Sequence, residues 1–188
     1  QRSFVQTKNV FTVNSDELLK AACCNLAESF ETNPSIDVNF SDALTGTRQI
    51  QMLGLKSPYL LITQENIPSI RGAAQVYGLT FTPGTWVESI QITKGAGSVI
   101  NGYESISGQI NAELVKPLTD KRFFLNAYGS MGGSLELNNH YNHQISEKWQ
   151  TGVYIHSDYR RQKLDRNKDG LLDNSLTNQI NHMTRWQH

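Results

Sequence analysis

The chain has 188 residues with 17 Lys and Arg against 17 Asp and Glu, a balanced charge without the basic footprint that nucleic-acid binding needs. Hydrophobic residues are 38% of the chain and mean hydropathy is −0.45, and no run nears the roughly 18 consecutive apolar residues of a helical membrane span. Spanning strands are not excluded, because such a strand shows lipid only every second residue over about ten residues.

Gln1 is not preceded by a basic n-region and an apolar h-region, so the expectation is a removed signal peptide or a start inside a longer protein. The first predicted element is a helix. Asn14 or Ser15 can cap it, and Asp16 and Glu17 favour its positive N-terminal end. Leu18, Leu19, Ala22, Leu26 and Phe30 then carry an amphipathic period, and Pro34 stops the helix by Asn33.

From Ser35 the pattern becomes short strands, alternating over Gln49 to Leu53 and continuously apolar over Tyr59 to Thr63. Pro68, Gly72, Gly78, Pro83 and Gly84 mark a region of turns. Trp86 to Lys94 alternates again, with Val87, Ser89 and Gln91 on one predicted face and Glu88, Ile90 and Ile92 on the other. Asn101-Gly102 follows as a turn signal between extended segments.

Beyond Pro117 the texture shifts to dyads. Phe123, Leu125, Ala127 and Gly129 alternate with Phe124, Asn126, Tyr128 and Ser130, and a second dyad runs from Trp149 to His156. Leu135 to Ile145 between them is more polar, and Ser146, Glu147 and Lys148 predict a tight turn. The boundary is placed near Pro117 to Asp120, giving domains 1–117 and 118–188. The tail is long enough for roughly four spanning strands, whereas the smallest membrane barrels need about eight, so any barrel here is incomplete.

The segment from Ile90 to Asn111, IQITKGAGSVINGYESISGQIN, resembles the last motif of TonB-dependent receptor plugs, at Lys94, Gly95, Gly97, Ser98, Gly102, Gly108, Ile110 and Asn111. Upstream, TRQIQMLGLKSPYLLITQENIP resembles the plug segment in which Arg-Gly precedes a strand and an Asp-Gly-x-Pro turn. It departs from that pattern, with Leu53-Gly54 and Glu65-Asn66-Ile67-Pro68 at those places. The vicinal cysteines of AACCNLAESFETN resemble a Bacteroidetes-type subgroup. The resemblance implies an α+β plug domain, a small mixed sheet with short helices, followed by antiparallel strands of an incomplete outer-membrane β-barrel. It further implies energy-coupled uptake of a scarce extracellular ligand, a metal or metal chelate first. The partners would be a TonB-type energy-coupling protein in the periplasm and outer-membrane lipid, and the chain would not be an enzyme.

Two other constellations bear on chemistry. Asp165, Asn167, Asp169 and Asp173, with Gly170 at the bend, match the early positions of a calcium loop, although Leu176 stands where the twelfth-position acid belongs. The competing reading is a polar loop tip making Asx turns. Cys23 and Cys24 are too close for an ordinary disulfide and suit either a soft metal or a packed helix face. The five histidines, His140, His143, His156, His182 and His188, all fall in the tail, with His140 and His143 on opposite strand faces. A secreted calcium-binding β-module and an isolated soluble plug-like domain stand as alternatives.

Overall fold

The computed structural model describes residues 10–14, 30, 36–40, 48–56, 58–76, 78–97 and 99–188. The expected helix from Ser15 to Asn33, apart from Phe30, which is a turn residue buried in the core, and Cys23, Cys24 and Ser98 lie outside the described residues. The chain divides into two compact units between Leu114 and Val115.

In the first unit, five strands form one mixed sheet: β1 (Val10–Asn14), β7 (Val87–Lys94), β8 (Gly108–Leu114), β5 (Leu60–Gln64) and β6 (Ile67–Ile70), in that spatial order. Every pairing is antiparallel except β5 with β8, which run parallel from Leu60↔Gly108 to Gln64↔Ala112. A parallel pair needs a long crossover, and β6, four 3₁₀ turns and β7 supply it. The continuously apolar run of β5 is buried from Leu60 to Thr63, as a strand covered on both faces should be. Pro68 lies in β6 at the sheet edge, where its missing N–H breaks no internal ladder.

A second, three-stranded sheet joins β2 (Asp37–Phe40), β3 (Arg48–Met52) and β4 (Leu55–Lys56). Ile50 and Met52 of β3 enter the same core as Leu60, Ile62, Ile90, Ile92 and Ile110. The face assignment predicted for β7 differs at its start. A bulge between Val87 and Ser89 shifts the register, so Val87 is buried with Ile90 and Ile92 instead of sharing the partly open face of Ser89 and Gln91.

The second unit is an antiparallel meander in the order β12-β11-β10-β9, comprising β9 (Phe123–Gly129), β10 (Ser134–Gln144), β11 (Gln150–Arg160) and β12 (Thr177–Gln187). The polar stretch expected between two dyads is itself a strand, β10, and it pairs with β11 without interruption from Ser134↔Arg160 to Gln144↔Gln150. The eleven residues each of β10, β11 and β12 match what a tilted strand needs to cross a bilayer, about nine to eleven, whereas β9 has seven. The turn expected at Ser146 is present, with the Trp149 N–H donating to Ser146 Oγ at 3.1 Å.

Candidate functional site

The recognised motif forms one hairpin of the first unit. Lys94 ends β7 exposed and pairs with Gly108. Beyond it, the Gly95 N–H donates to Ser107 O at 3.0 Å and the Gly97 N–H to Ser105 O at 2.8 Å, so the ladder continues into the loop. Gly95 and Gly102 have φ of 81° and 60°. Gly102 kinks the turn Val99–Ser105 with ψ −146°, a conformation open essentially to glycine alone. Gly108 is needed for a different reason, close approach: a Cβ there would lie 2.5 Å from Thr93 O and against Met52 Sδ.

Asn111 is the polar centre of this hairpin. It is buried, and its Oδ1 accepts from Thr63 Oγ1 and from the Asn66 N–H, both at 2.8 Å, while its Nδ2 donates to Glu113 Oε1 at 2.9 Å. One side chain thus ties β8 to β5 and to the β5–β6 turn. That turn has left-handed Glu65 and Asn66, φ 52° and 64°, so the turn expected at Glu65-Asn66-Ile67-Pro68 forms with these residues in place of Asp-Gly. Arg71 and Glu104 form a forked ion pair, with Arg71 Nε donating to Glu104 Oε1 at 3.1 Å, and this pair raises the Arg71 pKa.

In the second unit, β10 and β11 separate their faces. Leu135, Leu137, Tyr141 and Ile155 are exposed, whereas Glu136, Asn138, His140, Asn142, Tyr154 and His156 on the other face are buried. On that polar face Asn138 accepts from His156 Nδ1 (2.8 Å) when that nitrogen carries the proton, and Asn138 Nδ2 donates to Glu136 Oε1 (2.7 Å). Tyr154 OH donates to Asn142 Oδ1 at 2.8 Å. His140 sits between the rings of Phe124 and Tyr154, with centroids 4.8 and 4.9 Å away.

Asp120 closes this network from the segment before β9. Its Oδ2 lies 3.1 Å from His140 Nδ1 and accepts from Asn142 Nδ2 at 3.0 Å, and its Oδ1 accepts the Lys121 N–H at 2.8 Å. Burial pushes the Asp120 carboxyl up, but the bonds with His140, Asn142 and Lys121 outweigh it and hold the carboxyl below its usual value. His143 and His182 take the exposed face. Sequence reasoning missed this network. The alternation of Glu136, Asn138, His140 and Asn142 was its only available signal, and nothing local pointed to Asp120.

Asp165, Asn167, Asp169 and Asp173 are drawn into one loop. Asp165 accepts the N–H groups of Asp169 and Gly170 at 3.2 and 3.1 Å, Asp169 accepts that of Leu171 at 2.8 Å, and Asp173 accepts that of Arg166 at 3.1 Å. Among the described residues no group of three or more His, Cys, Asp or Glu side chains is placed to hold a metal.

The family model described as TonB-dependent Receptor Plug Domain matches residues 4–109. No curated protein matches the chain in sequence. Among solved structures, the ferric yersiniabactin uptake receptor FyuA from Yersinia pestis is similar with a TM-score of 0.75 at 15% identity, over 96% of this chain and 29% of that one. The FrpB iron transporter from Neisseria meningitidis gives 0.71 at 14% identity, over 94% of this chain and 29% of that one. The Ferric-Catecholate import receptor Fiu from E. coli K12 gives 0.68 at 17% identity, over 87% and 23%. The chain therefore spans less than a third of the length of each of these structures.

Proposed function

Since the chain belongs to the TonB-dependent receptor plug family through residues 4–109, we propose that it is the gate and first wall strands of an outer-membrane receptor that takes up a scarce ligand, a metal chelate first. The observation that carries this reading is the coupling of that plug match to four antiparallel strands, the central two of which, β10 and β11, bury polar residues on one face and expose Leu135, Leu137, Tyr141 and Ile155 on the other. In a membrane barrel the apolar face meets lipid and the polar face a wet interior. The named ligands of similar structures, ferric yersiniabactin and ferric catecholate, support a chelated metal as cargo. A TonB-type partner in the periplasm would rearrange the plug, and the ladder of β7, β8 and β5 is the stiff part it would act on.

Growth under metal limitation tests this. A host stripped of its own iron receptors and given the receptor that carries this gate should recover on a ferric chelate, and only with its energy-coupling protein intact. Recovery that ignores the coupling protein, or a protein found in the soluble fraction without detergent, rejects the reading.

A further inference from the structure

The connection from β8 to β9, residues 115–122, packs with the second unit. Lys116 O accepts the N–H groups of Thr119 and Asp120 at 3.1 and 2.9 Å, which closes it into one turn. Asn142 of β10 meets its last three residues. The Asn142 Nδ2 donates to Asp120 Oδ2 at 3.0 Å and to Lys121 O at 2.7 Å, and the Asn142 backbone N–H donates to Arg122 O at 2.9 Å. His140 Nδ1 lies 3.1 Å from the same Asp120 oxygen, and Gln187 Oε1 of β12 accepts the Leu118 N–H at 3.4 Å.

The wall is shaped to hold that amide. Asn142 Oδ1 accepts from Tyr154 OH at 2.8 Å, so both ends of the side chain are fixed. Gly152, opposite Asn142 in the β10–β11 register, makes the room, since a Cβ there would meet Asn142 Oδ1 and stand 2.7 Å from Tyr154 OH. Asn142, His140 and Tyr154 are all buried, and a buried group cannot replace a lost partner with water. Most connections between elements run over the surface and open at little cost, but this one has its backbone bound by buried side chains. It is bound just ahead of Phe123↔Tyr141, the first pair that β9 makes with β10. A pull on the chain from its N-terminal side would peel that ladder one pair at a time, whereas the contacts to Asn142 and His140 bear such a load together.

We propose that Asp120, Asn142 and His140 clamp the chain where it enters the wall strands, so that a rearrangement of the first unit ends at Asp120 and is not passed into β9. The purpose of such a stop rests on the reading of the first unit as an energy-coupled gate. The clamp itself lies wholly in the second unit.

Amide hydrogen exchange on the full chain in zwitterionic micelles, followed along a urea series, tests the clamp. The amides of Leu118 to Lys121 should lose protection in step with those of β10 and β11 and not with those of β8, and Asn111→Ala, which weakens the first unit alone, should widen that gap. With Asn142→Ala the same amides should exchange about tenfold faster, the loss of one charge-assisted hydrogen bond, while the β10–β11 ladder keeps its protection. Asp120→Ala removes the other half of the clamp without touching the wall, should give the same result, and decides alone where Asn142→Ala does not fold. Loss of protection at Leu118 to Lys121 together with β8 in the unsubstituted chain, or a ladder that speeds as much as the connection in Asp120→Ala, overturns the clamp. Neither readout involves uptake or a coupling protein, so a failure here and a failure of the gate reading in the growth test are told apart.

Discussion

Asn111 has three polar partners in a buried position, and two of them, Thr63 and the Asn66 N–H, lie 48 and 45 residues away in the chain. Removing its amide leaves the Asn66 N–H without this acceptor and the buried Thr63 hydroxyl with only Ile110 O, at 3.3 Å, and a lost bond to a buried group costs about 1 to 3 kcal/mol. Asn111→Ala should therefore lower the unfolding free energy of the first unit by about 2 kcal/mol or more, read from urea melts, and a change within 0.5 kcal/mol, the ordinary range of a surface substitution of about that size, would count against the role. Gly108→Ala tests close approach, since its Cβ meets the backbone oxygen of Thr93. Overpacking of this kind costs about 1 to 3 kcal/mol, whereas a fully tolerated alanine would show that the β7–β8 hairpin can relax. Asp120 is a pH-dependent contributor. Its carboxyl is depressed in the folded state, so its stabilisation is present above the unfolded value of about 3.9 and is lost as pH falls through the lower folded value. Asp120→Asn should flatten the stability profile below about pH 4; an unchanged acid limb would mean that the bonds to His140 and Asn142 carry no linkage.

At the level of elements, β10 and β11 illustrate how one strand serves two solvents. Their unbroken register stacks Asn138 against His156 and His140 against Tyr154 on the polar side while placing Asn139 against Ile155 on the other. A one-residue slip would exchange the two faces completely, which is why the register is tightly specified. Tyr154→Phe removes the bond to Asn142 and should cost about 1 kcal/mol in detergent-solubilised unfolding. The opposite face responds to charge instead. Ile155→Arg, near the middle of β11, should cost about 2 to 4 kcal/mol when refolding is measured in bilayers, the price of arginine near the midplane. If the substitution is neutral in lipid, that face does not meet hydrocarbon.

The whole chain combines a unit of two small sheets around one core with a four-stranded meander whose edges, β9 and β12, are open among the described residues. Four strands cannot close where the smallest membrane barrels use about eight, so the 188-residue chain alone is expected to give no steady conductance in a planar bilayer, and a stable pore would refute the incomplete-barrel reading. Much of this plan was legible from local signals. The dyads announced β9 and β11, the apolar run announced β5, the turn residues marked Glu65-Asn66 and Ser146, and the run from Lys94 to Asn111 marked the hairpin, because strand period and turn conformation depend on residues a few places apart. Other features depend on residues brought together from far along the chain, and no local pattern encodes them. These include the parallel β5–β8 pairing, the bulge that turns Val87 inward, and the anchoring of Asp120 to His140 and Asn142. By itself the sequence determined the dyad strands, the apolar strand β5, the turns and the family; only the tertiary structure decided which buried donors find which acceptors, since that choice is made by long-range packing and the need to satisfy polar groups removed from water.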